Sequence, residues 1–446
     1  MSSKHFINDP TALVAAALES LTLTNPNVAL DAENKIVYRR PSPSAPRQVS
    51  IISGGGSGHE PSFAAMVGPG MLSAAVAGTI FASPSAEQVR SGIASRVETE
   101  EGVLVVVMNY TGDILNFGMA VEKARAAGLS TEMVVVGDDV GVGREKAGKV
   151  GRRGIAGTVL VLKIAGALAA LGRPLDQVAK VARLTAENLV SVGASLEHVH
   201  VPGRVADAED GLKVGEVEIG MGIHNEAGSS RGKLALPELV STMLSQLLDS
   251  NDKDRAFLNI NSNEVVLLIN NLGGVSVLEL GGITTEVVKQ LGSTYNIRPV
   301  RILSGTFMTS LNGLGFSISL LNVVNTDIGG PSMIELLDAP SEVTGWAAPI
   351  QKTTWEAKNT ATRTEPSRVN EATKPSELKT DAAAATSALK NALERVISVE
   401  PEVTRFDTVV GDGDCGIGLK RGAEGRTNMA AFQPITDEIQ SSLTSY

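Results

Sequence analysis

The sequence predicts an α/β region of two α/β subdomains over residues 1–345, a linker over 346–380 and an incomplete all-α domain over 381–446. Three observations lead there. Between about residue 10 and residue 345, short β-branched runs alternate with alanine-rich stretches of helical spacing, the rhythm of a sheet covered by helices. After Trp346 the text turns to Lys, Thr, Glu, Ser and Pro with almost no branched aliphatics, too little apolar surface to order itself, until about Thr380. From Asp381 an alanine run opens an amphipathic helix with Leu389, Leu393, Val396 and Ile397 on one face.

In chain order, strands are expected at 48–52, 102–108, 132–136, 264–269 and 300–303. Gly or Asn follows each within two residues, where sheet-end loops collect ligand-binding groups. Helices are expected at 115–127, 157–171 and 237–248, the last with Pro237 at a first-turn position. No repeat of solenoid period is visible.

At 446 residues the chain holds two or three domains. Hydrophobic residues make up 43% and aromatics only 3%, so aliphatic packing carries the interior. The net charge of −10, with no basic stripe, argues against a nucleic-acid partner. Cys415 is the single cysteine, which excludes an internal disulfide framework. The opening Met1-Ser2-Ser3-Lys4-His5 has no signal-peptide core, and no apolar run reaches the ~18 residues of a spanning helix. A soluble, cytoplasmic protein without membrane contact is expected.

Gly54-Gly55-Gly56-Ser57-Gly58-His59-Glu60-Pro61, directly after an apolar strand, gives a polar ligand close access to main-chain amides beside an imidazole. A flexible turn is the competing reading. It is disfavoured because the chain has only five histidines and a second, His224, lies in a similar run, Gly220-Met221-Gly222-Ile223-His224-Asn225-Glu226. Two phosphate-loop lookalikes are set aside. Residues 143–149 have Walker A spacing, but Val150 stands where a hydroxyl would reach magnesium, and His59 replaces the third glycine of a dinucleotide fingerprint. Asp407, Asp412 and Asp414 lie on a glycine-jointed loop where three hard oxygens could meet Mg²⁺ and substrate phosphates. From spacing alone, a solvated acidic turn accounts for them equally well.

These pieces together resemble the single-chain ATP-dependent dihydroxyacetone (glycerone) kinase family. The resemblance rests on Lys4-His5-Phe6-Ile7-Asn8-Asp9-Pro10, the 54–61 run, Asn109-Tyr110-Thr111-Gly112-Asp113, Gly151-Arg152-Arg153-Gly154 and Gly222-Ile223-His224, and it covers nearly all of residues 1–345. It implies that His224 holds the substrate carbonyl as a hemiaminal, that Asp113 is the general base toward the γ-phosphate, and that His59 handles protons. It also implies substrate contacts from Gly56, Ser57, Gly58, His59, Asp113 and the residue at 108. The all-α domain becomes a nucleotide-binding domain, with Asp407, Asp412 and Asp414 on Mg²⁺ and Cys415, Gly416, Ile417 and Gly418 along the ATP phosphates. Family members are commonly homodimers. His198 and His200 read as structural.

The chain departs from the family at Met108, where lysine is usual, at Gly418, and at its end. Only 32 residues follow Asp414, against a helical domain of ~200 residues, so impaired turnover is expected. Two alternatives accompany the kinase reading: a non-catalytic carbonyl-binding or regulatory protein, and an FMN cyclase that splits FAD, as animal relatives do.

Overall fold

The computed structural model describes residues 4–42, 46–204, 211–260, 264–347, 350–362 and 381–427. It divides into two compact units, Met1–Asn359 and Thr360–Tyr446. Positions 363–380 of the expected linker and 428–446 of the expected all-α domain lie outside the described residues.

The first unit holds two six-stranded sheets. The first contains β1 (Val28–Asp31), β2 (Ile36–Arg39), β3 (Ser50–Ser57), β4 (Ala74–Ile80), β5 (Val103–Met108) and β6 (Thr131–Val136), in the order β1-β2-β4-β3-β5-β6. Strands β4, β3, β5 and β6 are parallel. The second contains β7 (Leu189–Ser195), β8 (Val217–Ile219), β9 (Ser230–Gly232), β10 (Val265–Asn271), β11 (Arg301–Gly305) and β12 (Gly315–Asn322), ordered β11-β10-β12-β7-β8-β9. Only the β10–β11 pair is parallel there.

Side-chain alternation explains the layers. On β5, Val103, Val105 and Val107 pack with Phe117 and Val121 of the helix Thr111–Ala126. Leu104, Val106 and Met108 point the other way, into a cluster built around the helix Thr158–Ala170. On β10, Val266 and Leu268 join that same cluster, while Leu267 and Ile269 face the helices Leu236–Leu248 and Val277–Tyr295. The helix Thr158–Ala170 is therefore apolar on every side and buried from Thr158 to Ala169, as a helix enclosed by neighbouring layers must be. Its one charge, Lys163, is fully buried and donates to the carbonyl of Leu336 at 2.9 Å.

The stretch 346–359, assigned by composition to the linker, is part of the first unit. Trp346 is buried against Phe307 with ring centroids 5.3 Å apart. The helix Lys352–Ala357 places Trp355 under the Arg301 guanidinium, 5.2 Å from its centroid. Two tryptophans outweigh a polar composition that, averaged over the whole stretch, conceals them.

In the second unit, the helix Ala382–Val410 is capped by Asp381 and followed by the helix Cys415–Thr427. Leu389, Leu393, Val396 and Ile397 are half-buried along the first of these.

Candidate active site

His59 stands just beyond the C-terminal end of β3. The strand runs on through the glycines, past the expected boundary at Ile52, because β4 pairs with it there: Gly54 opposes Val76 and Gly55 opposes Ala77. Glycine has no side chain whose alternation could announce this. A Cβ on Gly54 would stand 2.1 Å from the Val76 carbonyl oxygen, so the close approach of the strands demands its absence. Fully buried, His59 donates from Nδ1 to the carbonyl of Thr309 at 2.9 Å.

His224 comes from the loop after β8. Several bonds fix that loop: the Gly222 N–H donates to the Glu226 carbonyl at 2.9 Å, and the Ser310 hydroxyl donates to the Ile223 carbonyl at 2.6 Å. Asn225 exchanges two 2.9 Å bonds with the backbone of Val199. Arg153, paired with Asp139, donates to the Gly220 carbonyl at 2.7 Å. The Glu226 carboxylate accepts from the His224 N–H at 2.9 Å and from its Nδ1 at 2.8 Å. Across the gap, the Nε2 atoms of His59 and His224 are 3.0 Å apart.

Counting protons defines the state of this pair. Both Nδ1 atoms face oxygen acceptors and must carry hydrogen, so a hydrogen bond between the two Nε2 atoms needs one further proton. The pair then carries one positive charge, opposed by Glu226. Burial first, and then the charge on His224, push the His59 imidazole down to about 3, against the pull of the Thr309 carbonyl and Glu226. Burial tends to raise the Glu226 carboxyl, but its bonds to His224 and the charge there outweigh burial and hold it at about 2. His59 is thus held neutral, and His224 is the imidazole paired with a carboxylate. Tyr110 meets the His224 ring edge-on at 4.7 Å, and burial, reinforced by the Glu226 charge, lifts its phenol well above the usual range.

Asp113 lies in the first turn of the helix Thr111–Ala126 and is buried. A Cβ on Gly55 would be 3.9 Å from both of its carboxylate oxygens, which puts it beside the glycine strand. Burial raises its carboxyl against the Ser83 hydroxyl and the charge on His224, and its Oδ1 has no partner among the described residues. The Ser57 hydroxyl is committed to the Gly78 carbonyl at 3.0 Å, and the Gly58 N–H to the Glu60 carboxylate at 3.0 Å. Met108 is 2% exposed within the aliphatic cluster around the helix Thr158–Ala170, and its carbonyl accepts from the Tyr110 N–H at 2.9 Å.

In the second unit, carboxylate oxygens of Asp407, Asp412 and Asp414 lie within 4.8 Å of one another. The Asp412 charge raises the Asp414 carboxyl, and none of the three meets a Lys or Arg among the described residues, an arrangement suited to a divalent cation. The Cys415 N–H donates to Asp407 Oδ2 at 3.0 Å. Gly416 faces inward, where a Cβ would meet the Thr404 hydroxyl at 2.3 Å; Ile417 and Gly418 are exposed in the first turn of the helix Cys415–Thr427.

Sequence reasoning gave no role to Glu226, Tyr110, Arg153, Thr309 or Phe81. The first three lie inside motifs it singled out. Thr309 and Phe81 carry no local signal, since they reach His59 only through the tertiary fold.

Residues 19–345 match the Dak1 domain. Dihydroxyacetone kinase 1 of Saccharomyces cerevisiae is 45% identical, over 96% of this chain and 74% of that protein. Triokinase/FMN cyclase of Homo sapiens is 38% identical, over 95% and 72% respectively. Among solved structures, the dihydroxyacetone kinase from C. freundii in complex with AMP-PNP and Mg²⁺ gives a TM-score of 0.71 at 32% identity, covering 99% of this chain and 76% of that one. The chain belongs to the dihydroxyacetone kinase family, whose members are transferases.

Proposed function

We propose that the chain phosphorylates dihydroxyacetone and glyceraldehyde from ATP, with the substrate held on His224 as a hemiaminal. The observation that carries this reading is the 3.0 Å contact between the two Nε2 atoms, with both Nδ1 atoms committed elsewhere. His224 passes its Nε2 proton to His59. The freed lone pair forms a bond to the carbonyl carbon, the C=O π electrons move to oxygen, and that oxygen takes the proton back from His59. The adduct is a substituted imidazolium, and the Glu226 carboxylate balances its charge. Glycerol has no carbonyl to attack, so capture discriminates where packing around so small a ligand could not.

Asp113, with an unpartnered oxygen and a carboxyl raised by burial, takes the proton of the substrate hydroxyl as that oxygen attacks the γ-phosphate. Main-chain groups of Gly56, Ser57 and Gly58 border the substrate. Asp407, Asp412 and Asp414 would hold Mg²⁺, which neutralises phosphate charge when bound. In the first turn of the helix Cys415–Thr427, the amides of Gly416 and Ile417 are left for the phosphates, since those of Cys415 and Gly418 donate to Asp407 and to the Asp414 carbonyl.

The second unit contributes two helices among the described residues and leaves Phe406, Val409 and Leu419 exposed. The test is a coupled ADP-release assay with dihydroxyacetone against glycerol. Release that requires dihydroxyacetone and disappears in His224→Ala supports the reading. Equal release with glycerol sinks it, and capture with no release at all points to a carbonyl-binding protein.

A further inference from the structure

Phe81, the residue after β4, adopts φ +60, a left-handed conformation that is a true outlier for a bulky side chain. Its N–H donates to the Ser57 carbonyl at 2.9 Å, which fastens it to the end of β3. From there the ring lies nearly flat on the His59 imidazole, with centroids 5.3 Å apart and planes at 16°. It also meets the His224 ring edge-on, at 5.2 Å and 84°. The glycines opposite are shaped to admit it. A Cβ on Gly58 would stand 2.7 Å from the Phe81 ring, and one on Gly56 would stand 3.0 Å from the Phe81 Cα. A residue needed only to fill space would not require a left-handed backbone, two cut-away neighbours and contact with both imidazoles.

We propose that Phe81 is a positioning residue for carbonyl capture: its ring closes one face of His59 to water and braces His224, keeping the two Nε2 atoms aligned. This rests on His224 being the nucleophile. The titratable groups facing His59 are His224 and Glu226, both on the loop after β8. Asp113 and Tyr110 bear on His224, and Glu60 is held by the Gly58 amide. From the residue after β4, the apolar ring of Phe81 approaches.

The experiment is an NMR titration of the whole chain labelled with ¹⁵N-histidine, without substrate, in wild type, Phe81→Leu and Phe81→Tyr. The His59 signal is identified by its loss in His59→Asn. In Phe81→Leu, the His59 midpoint should move up by more than about one pH unit and capture of dihydroxyacetone at pH 6 should weaken about tenfold, because water regains the ring face. Phe81→Tyr, which keeps the ring, should leave both unchanged. A His59 midpoint that stays put in folded Phe81→Leu overturns the proposal. If that variant does not fold, nuclear Overhauser contacts between the Phe81 and His59 rings in wild type decide: their presence, with an unchanged Phe81→Tyr titration, supports the proposal, and their absence overturns it. Substrate retained by His224→Ala would instead overturn the capture reading, which the substrate-free titration does not touch.

Discussion

At the residue scale, the proposed capture uses a proton shared between two imidazoles, one of them beside the Glu226 carboxylate. Replacing Glu226 with Gln retains an acceptor for His224 Nδ1 but removes the charge that balances the adduct. Turnover should fall about 10- to 100-fold with little change in melting temperature, read by initial rates and calorimetry. The His59 imidazole sits far below its ordinary value, so from 6.5 down to about 3 the unfolded chain binds a proton that the folded chain refuses. The resulting stability is present above 6.5 and drains away as pH falls through that window. Denaturant unfolding of His59→Asn should show a shallower acid decline than wild type. Asp412→Asn should weaken binding of Mg²⁺ with AMP-PNP by about tenfold in a calorimetric titration and leave dihydroxyacetone capture intact. His59, His224 and Asp113 are legible in the sequence because glycine runs and an Asn-Tyr-Thr-Gly-Asp string mark them. Phe81 and Thr309 are not, because what makes them matter is a contact made across the fold.

At the element scale, short runs of β-branched residues disclose β5, β6, β10 and β11 to within two residues of their observed starts. Strands β4, β7 and β12 pass unnoticed, since Ala, Gly and Ser weaken both the β-branched and the alternation signals, and β1, β2, β8 and β9 because three or four residues are too few to show a period. The helix Thr158–Ala170 is recognisable by length, but its burial on all sides follows only from having a sheet on each flank. Lys163 within it registers that packing in energetic terms: burial lowers its amine to about 8, opposed by the Asp338 charge. Between about 8 and 10.5 the unfolded chain therefore holds a proton that the folded chain has released, and stability should rise with pH across that window. Lys163→Met lacks this dependence. The wild type should gain on the variant by on the order of 3 kcal/mol between those pH values, read by urea unfolding at each. A constant gap would show that the amine titrates normally.

At the scale of the whole molecule, the paired imidazoles lie in one unit and the carboxylate cluster in the other, and each can be tested separately. Among the described residues no helix is long and apolar enough to cross a membrane. The composition changes after Trp346, but the first unit continues to Asn359, and two tryptophans anchor the intervening stretch. The central claim, that His224 becomes bonded to the substrate, concerns the first unit alone and needs neither nucleotide nor metal. The direct measurement is ¹³C NMR of [2-¹³C]dihydroxyacetone mixed with the chain in the absence of ATP. Wild type should convert the ketone resonance into a broadened resonance of a tetrahedral carbon bearing oxygen and nitrogen, and His224→Ala should leave the ketone unchanged. A ketone signal that broadens on binding to wild type without ever becoming tetrahedral, or a tetrahedral adduct that persists in His224→Ala, would contradict the account.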